Sequence, residues 1–315
     1  MSRILVTGGL GFIGSNLTLA LLELGHTVTV VDDMSSARND ADDIIKNNPD
    51  AKFIRCCFAD DKIISRIGRY EFDYIFHVAA IPRVSYSVEH PFETTDVNVN
   101  RTVKLIEASV GHVRRFIFSS SSSVYGGADV MPTPVSHPKS PKSPYAWQKS
   151  CIEDFIGVMC DLNPNFDAVC LRYFNVFGPG QFGGSAYATA ISAWCHAIKS
   201  DLILRKDGTG EQSRDMCYVG NVVDANIKSM TTIEKFRGDR FNVACGDRVS
   251  NNDILNFLRD RFDEIKIENT PFRPGDVMHT QADITLTEEK IGYVPATRFW
   301  DGMELTLKWW GLNSD

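Results

Sequence analysis

Ile4-Leu5-Val6-Thr7-Gly8-Gly9-Leu10-Gly11-Phe12-Ile13-Gly14 joins an apolar strand, a glycine-rich turn and the first residues of a helix. Gly8, Gly11 and Gly14 have the spacing that lets a backbone turn tightly, approach a pyrophosphate and pack a helix on a strand. The free N–H groups and positive dipole end of that helix suit phosphate. Gly25 is placed to stop the helix, and the next apolar run, Val28 to Val31, ends at Asp32. This acid stands close to the roughly 20-residue offset expected of a ribose-binding carboxylate. Strand, triplet, helix, stop, strand and acid in that order predict dinucleotide binding; a tight turn of structural value alone is the competing reading. A carboxylate at Asp32 accepts from ribose hydroxyls and repels a 2′-phosphate, so NAD is expected over NADP. Asp33 adds a second negative charge there.

Further apolar runs follow at Phe53-Ile54, Tyr74-Ile75-Phe76, Phe116-Ile117-Phe118 and Ala168-Val169-Cys170-Leu171. They do not alternate with polar residues, which suits parallel strands covered on both faces. Helical patterns lie between most of them, among them Phe12 to Leu24 and Val97 to Val110. Repeated βα units predict an α/β fold with a doubly wound parallel (Rossmann) sheet. After about Asn175 the texture changes, and the Gly/Pro-rich stretch 177–184 cannot be regular helix or central strand. The expected division is an NAD-binding domain over 1–175 and a smaller C-terminal α/β substrate-binding domain over 176–214 and 246–315. Residues 215–245 are expected to return to the first domain through a helix near Val222–Met230 and a strand near Arg240–Cys245.

The composition is that of a globular chain: 315 residues, 43% hydrophobic and 23% charged. A net charge of −7 gives no general attraction to nucleic acid or to an anionic membrane, so an anionic ligand must be held by local cations or helix termini. No apolar stretch approaches the roughly 20 residues of a membrane span. Met1-Ser2-Arg3 runs straight into the first strand without a leader pattern. The eight cysteines form no C-x-x-C pair and the seven histidines no ligand spacing, so reduced thiols, a cytoplasmic location and no metal are expected.

Ser143-Pro144-Tyr145-Ala146-Trp147-Gln148-Lys149 opens a later helix, and Tyr145 and Lys149, four apart, share a face. A free phenol titrates near pH 10 and is a poor base at neutral pH; a neighbouring ammonium favours the phenolate. That spacing alone is common by chance. Upstream, however, the buried run at 116–118 leads into five serines, 119–123, and then Val124-Tyr125-Gly126. Hydroxyls at the carboxyl end of a central strand sit where such sheets bind ligands. Serines, Tyr145 and Lys149 together make a proton relay.

With these pieces in place, the chain resembles the extended short-chain dehydrogenase/reductase family, in its NAD-dependent epimerase/dehydratase members. Thr7-Gly8-Gly9-x-Gly11-x-x-Gly14, His77-Val78-Ala79-Ala80, Ser119-Ser120-Ser121, Tyr145-x-x-x-Lys149 and Arg172-Tyr173-Phe174-Asn175 carry the likeness. So do Ser213-Arg214-Asp215, Asn242-Val243-Ala244 and Arg273-Pro274-Gly275-Asp276. The 172–181 and 218–242 regions look most like UDP-N-acetylglucosamine 4-epimerases. The resemblance implies an isomerase that epimerises a UDP-hexose reversibly at C4, through a 4-keto intermediate, with tightly bound NAD. Ser121, Tyr145 and Lys149 would be catalytic. Cofactor contacts would come from Gly8, Gly11, Phe12, Ile13, Gly14, Asp32, Asp33, Ser36, Ala79, Ala80, Ser119, Tyr145, Lys149 and Tyr173. Asn98 joins them, with a structural role at a helix start as the competing reading.

For substrate, the resemblance implies Ser121, Ser123, Tyr145, Asn175, Arg214, Arg273, Asp276 and Thr280. The arginines offer forked donors to a diphosphate and Asp276 an acceptor to uridine ribose hydroxyls; a surface ion pair is the alternative for each arginine. Four residues beyond Asp276, the family's bulky aromatic is replaced by Thr280, which implies room for an N-acetyl group and hence UDP-GlcNAc and UDP-GalNAc. Ser122-Ser123 stand where dehydratases carry Asp-Glu, which argues against loss of water. Cys56-Cys57 replace a Gly-Asp pair whose Asp meets adenine, leaving that task to Phe58 or backbone groups. Pro82-Arg83 stand where small residues are common. A homodimer through helices near Val97–Val110 and Ala146–Cys160 is expected by the same analogy. The rival readings are a net reductase or other nucleotide-sugar epimerase of this fold, and a catalytically silent NAD-binding regulator.

Overall fold

The computed structural model describes residues 1–38, 41–184, 188–262, 265–272 and 277–312. Six strands follow one another through the first half: β1 (Arg3–Thr7), β2 (Thr27–Asp32), β3 (Ala51–Arg55), β4 (Tyr74–His77), β5 (Arg115–Ser121) and β6 (Ala168–Tyr173). Short strands come next: β7 (Asn175–Phe177), β8 (Leu204–Asp207), β9 (Ser213–Arg214) and β10 (Met216–Tyr218). They are followed by β11 (Asp239–Val243), β12 (Val249–Ser250) and β13 (Ile267–Thr270). Seven form one sheet in the order β11-β6-β5-β4-β1-β2-β3, with every pairing parallel. The order reverses between β1 and β4, and such a switch point opens a crevice at the strands' carboxyl ends.

The apolar runs are explained by cores on both faces of this sheet. Ile4, Val6, Ile117 and Val169 face a cluster built with Leu17 and Leu21 of the Phe12–Glu23 helix and Val222 of the Val219–Thr231 helix. Leu5, Phe116, Phe118 and Cys170, the intervening residues, face a second cluster with Leu105, Ile106, Ile152 and Ile156. Both sets being apolar, no in-out alternation survives in the sequence.

A third core, around Phe177, Trp194, Leu255, Met303 and Leu307, gathers the later helices. The later chain is not packed as one body. β11 pairs with β6, and Ile291 and Tyr293 of the expected second domain pack into the first core of the main sheet. Thr287 Oγ1 also donates to Asn242 O at 2.8 Å, tying its helix to β11. Apolar residues beyond 285 thus help cover the sheet's last strands.

The expected helix from Val97 to Val110 divides in two: a π-helical turn, Asp96–Asn100, precedes an α-helix, Arg101–Ser109. Asn98 points inward from the turn and is satisfied by tertiary partners described below. Among the described residues no helix is long and apolar enough to cross a membrane. Five of the eight cysteines are buried, which fits their place in apolar patterns.

Candidate active site

The glycine-rich turn lies at the switch point. Gly8 adopts φ +66°, and a Cβ there would stand 2.7 Å from the Ala79 Cα, so only glycine lets β1 pass the loop after β4. A Cβ on Gly14 would fall 2.0 Å from the Gly8 carbonyl oxygen. Gly11 is the N-cap of the Phe12–Glu23 helix and no side chain caps it. The first-turn N–H groups, with no side chain occupying them, fit a pyrophosphate. Phe12 and Ile13 open that helix, and Ile13 packs on the first core.

At the end of β2, Asp32 accepts from Leu10 N at 3.0 Å and Met34 N at 2.8 Å, one bond to each carboxylate oxygen. Burial raises its pKa and the backbone donors pull it back. Two carboxylate oxygens have lone pairs beyond one bond each, so ribose hydroxyls can still be received. Asp33 is exposed and turns to Ser35, and Ser36 is exposed on the same loop. This donor and acceptor set fits NAD. At 57 the thiol receives Arg101 Nη1 at 3.4 Å, and Phe58 is buried edge-on to His77 at 4.7 Å. The Phe58 ring thus belongs to the core.

Asn98 holds the loop after β4. Its Oδ1 accepts from Ile81 N at 2.8 Å, and its Nδ2 donates to Ile81 O and to Gln148 Oε1. Gln148 in turn donates to Thr94 and Thr95. These bonds fix Ala79 and Ala80 beside the turn and engage every polar atom of the Asn98 side chain. The structural reading of Asn98 is the one its contacts favour. A π-turn is the deformation that lets such a side chain face inward.

The Pro144–Leu162 helix begins as the residues dictate: Ser143 caps it by accepting from Ala146 N at 3.2 Å, and Pro144 occupies the first position. Tyr145 N donates to Ser87 Oγ at 3.1 Å. The Lys149 ammonium donates to Ser119 O at 2.6 Å and lies 5.8 Å from the centre of the Tyr145 ring. Burial pushes Lys149 down to about 7, with the Glu153 charge working against it. Burial also pushes the Tyr145 phenol up to about 12, with the Ser121 hydroxyl pulling it back. Ser121 Oγ accepts from Ser123 N at 3.2 Å. The Ser123 hydroxyl oxygen is buried, and among the described residues it has no hydrogen-bond partner. A ligand hydroxyl would satisfy it. Ser119 Oγ meets the Tyr173 hydroxyl at 3.0 Å, and Tyr173 is held by Asn226.

The expected substrate residues form a second group two residues beyond Tyr173. Asn175 is exposed at the start of β7, and its N–H donates to Asp215 O at 3.2 Å. Arg214 donates from Nη1 to Ser213 O and Met278 O, both at 3.1 Å. Thr280 N donates to Ser213 O, and Thr280 Oγ1 accepts from Asp215 N at 3.3 Å. Arg273 and Asp276 lie outside the described residues.

Three buried charges here are absent from the sequence expectations. Glu153 and Arg172 form a two-pronged ion pair at 2.8 and 2.7 Å, and Ser120 Oγ donates to the same carboxylate at 2.6 Å. Arg172 also donates to the Tyr125 hydroxyl at 2.8 Å. This network ties the Tyr145 helix to the ends of β5 and β6. Glu153 lies four residues past Lys149 and Arg172 one before Tyr173, but spacing alone says nothing of their burial or pairing. The third is Asp215, inside the quoted Ser213-Arg214-Asp215 motif.

Comparison with known proteins agrees with this arrangement. The family described as NAD dependent epimerase/dehydratase matches residues 4–244. A UDP-glucose 4-epimerase of Mycolicibacterium smegmatis is 31% identical, the alignment covering 99% of each chain. Among solved structures, a UDP-N-acetylglucosamine 4-epimerase from Methanobrevibacter ruminantium, in complex with UDP-N-acetylmuramic acid, is 34% identical. It superposes with a TM-score of 0.89 over 98% of this chain and 97% of that one. A UDP-glucose 4-epimerase from Thermotoga maritima, with UDP-glucose, is 31% identical with a TM-score of 0.90 over 98% of each.

Proposed function

The chain belongs to the NAD-dependent epimerase/dehydratase family, and from that premise we propose that it inverts C4 of a UDP-hexose, with UDP-GlcNAc and UDP-GalNAc as its preferred pair and UDP-glucose and UDP-galactose as lesser substrates. The observation that carries this reading is the Tyr145–Ser121–Lys149 cluster at the carboxyl end of β5, beside an uncapped helix N-terminus. The Gly8–Gly14 turn, Asp32 and Lys149 would hold NAD, which would supply reversible hydride acceptance at C4.

The protein's own part is the proton. Tyr145 takes the proton of the sugar 4-hydroxyl and returns it to the 4-oxygen once C4 is reduced from its opposite face, and Ser121, beside the phenol, relays it and holds the 4-oxygen. A phenol near 12 is no base at pH 7, so Tyr145 works only with a cation close by; the Lys149 ammonium is that cation. Ser123 offers its hydroxyl to the sugar. Arg214 and Arg273 hold the diphosphate, Asp276 the uridine ribose and Asn175 the sugar side. Thr280, small where an aromatic would crowd the N-acetyl group, supports the acetylated pair. Serines at 122 and 123 provide neither acid nor base for eliminating water, which separates this site from dehydration. Two copies are taken to pair through the Arg101–Ser109 and Pro144–Leu162 helices.

The test is interconversion of both UDP-sugar pairs by wild type and Tyr145→Phe, with bound cofactor identified after denaturation. Turnover of the acetylated pair, lost at least about 10²-fold in the phenylalanine variant while NAD stays bound, is expected. Activity confined to the non-acetylated pair removes the substrate assignment. Accumulating NADH or a reduced sugar makes the protein a reductase, and bound NAD without any turnover makes it a binding protein.

A further inference from the structure

We infer that Asp215, a residue facing neither cofactor nor reacting carbon, is the positioning residue that sets the diphosphate- and sugar-binding arms of the substrate site. Asp215 is fully buried. Its Oδ1 accepts from Cys245 N at 2.8 Å, and its Oδ2 accepts from Gly246 N and Ala282 N, each at 3.0 Å. Its own main chain completes the knot: its carbonyl accepts from Asn175 N and its N–H donates to Thr280 Oγ1. Arg214 precedes it in the chain. One residue thereby joins the segments carrying Asn175, Arg214 and Thr280, and it pins at Ala282 the stretch 277–282 that follows Arg273 and Asp276.

Burial raises this acid to about 7, against an ordinary 3.8, so the charge is kept at a cost to stability. What the charge provides is three acceptor positions for three backbone N–H groups from two separate segments. A neutral side chain of the same shape cannot do this. An asparagine has one oxygen, so at least one N–H would face an NH2 group, and the segment it belongs to would move. Displacement of Ala282 shifts Thr280; displacement of the 245–246 turn shifts the Asp215 peptide and Arg214 with it. The NAD turn, Asp32 and the Tyr145 helix make no hydrogen bond to this knot among the described residues, so cofactor retention is untouched.

This inference rests on Arg214 acting as a diphosphate contact, so the probe is UDP itself, measured by calorimetry on NAD-loaded protein. Asp215→Asn should weaken UDP binding at least tenfold and raise KM for the UDP-sugar in step. The kcat should change less than threefold, and bound NAD should remain at the wild-type level. Unchanged UDP affinity in a folded Asp215→Asn overturns the inference, as does parallel loss of UDP affinity, kcat and NAD. Should that variant not fold, Thr280→Val takes its place: it removes the acceptor of the Asp215 N–H and should weaken UDP at least threefold, and affinity equal to wild type overturns the inference. A wild type that binds UDP but turns over no UDP-sugar refutes the proposed reaction and leaves the role of Asp215 standing.

Discussion

In the proposed reaction Lys149 serves catalysis and stability in opposite directions. That reaction needs its ammonium beside Tyr145, yet burial brings its pKa to about 7 from an ordinary 10.5. A lysine depressed in this way binds its proton less tightly folded than unfolded. Between pH 7 and 10.5 the unfolded chain holds the extra proton, so this group's contribution rises with pH across that window and is lost as pH falls through 7. Lys149→Met keeps the volume and removes the charge. The cofactor-free variant should melt roughly 2–4 °C above wild type at pH 6, for a net gain of about 1–2 kcal/mol. That margin should close toward pH 9. The gain is limited because Ser119 O loses its donor. Turnover should fall about 10²-fold or more at pH 7. Calorimetry at the two pH values decides it; a variant less stable than wild type at pH 6 contradicts the burial account. At this scale the sequence reveals the proposed reacting groups but not their supports. Tyr145, Lys149 and the serines were legible because helix spacing and strand ends assign their directions. Glu153, Arg172 and Asp215 were not, because a charged residue reads as surface until its partners, 19 to 67 positions away, are known.

Elements were more legible than residues. The six apolar runs are the six strands of the first half, since strands covered on both faces show their burial directly in the sequence. The π-turn at Asp96–Asn100 was not legible, because it depends on Asn98 reaching Ile81 and Gln148 across the fold. The glycine turn allows an element-scale test. At position 14 any side chain collides with the Gly8 carbonyl, so helix and strand must separate and the pyrophosphate cradle opens. Gly14→Ala should emerge from gel filtration with less than about a tenth of the wild-type NAD content, since each 1.4 kcal/mol lost is tenfold in affinity. Gly68→Ala is the control: a methyl group there meets nothing within 4 Å. It should retain NAD fully, and equal NAD content in the two variants would mean that the turn is not where the pyrophosphate binds.

At the scale of the whole molecule, the three cores account for most large apolar side chains, and three of the exposed ones lie on one helix. Trp147, Val158 and Leu162, with the half-buried Cys151 and Phe155 between them, recur every three or four residues along Pro144–Leu162. Trp147 is 50% exposed, Val158 54% and Leu162 72%. Phe92, 86% exposed, lies on the Pro91–Thr95 helix packed beside it. A lone exposed apolar residue needs no explanation, but a stripe of this length on the helix that carries the reacting tyrosine is expected of an interface. A two-fold partner placing the same stripe opposite would cover it, since an isologous contact is self-complementary. The sequence could place the helix but not its uncovered side, because that side depends on what the sheet and the 96–109 segment already bury. Sedimentation at low micromolar concentration should give about twice the 35.2 kDa chain mass. Val158→Lys combined with Leu162→Lys should shift the protein to monomer with NAD still bound, as neither residue reaches the nucleotide turn. A wild type that sediments as a monomer up to about 100 μM would remove the dimer, since an interface covering so much apolar surface should hold at well below that concentration.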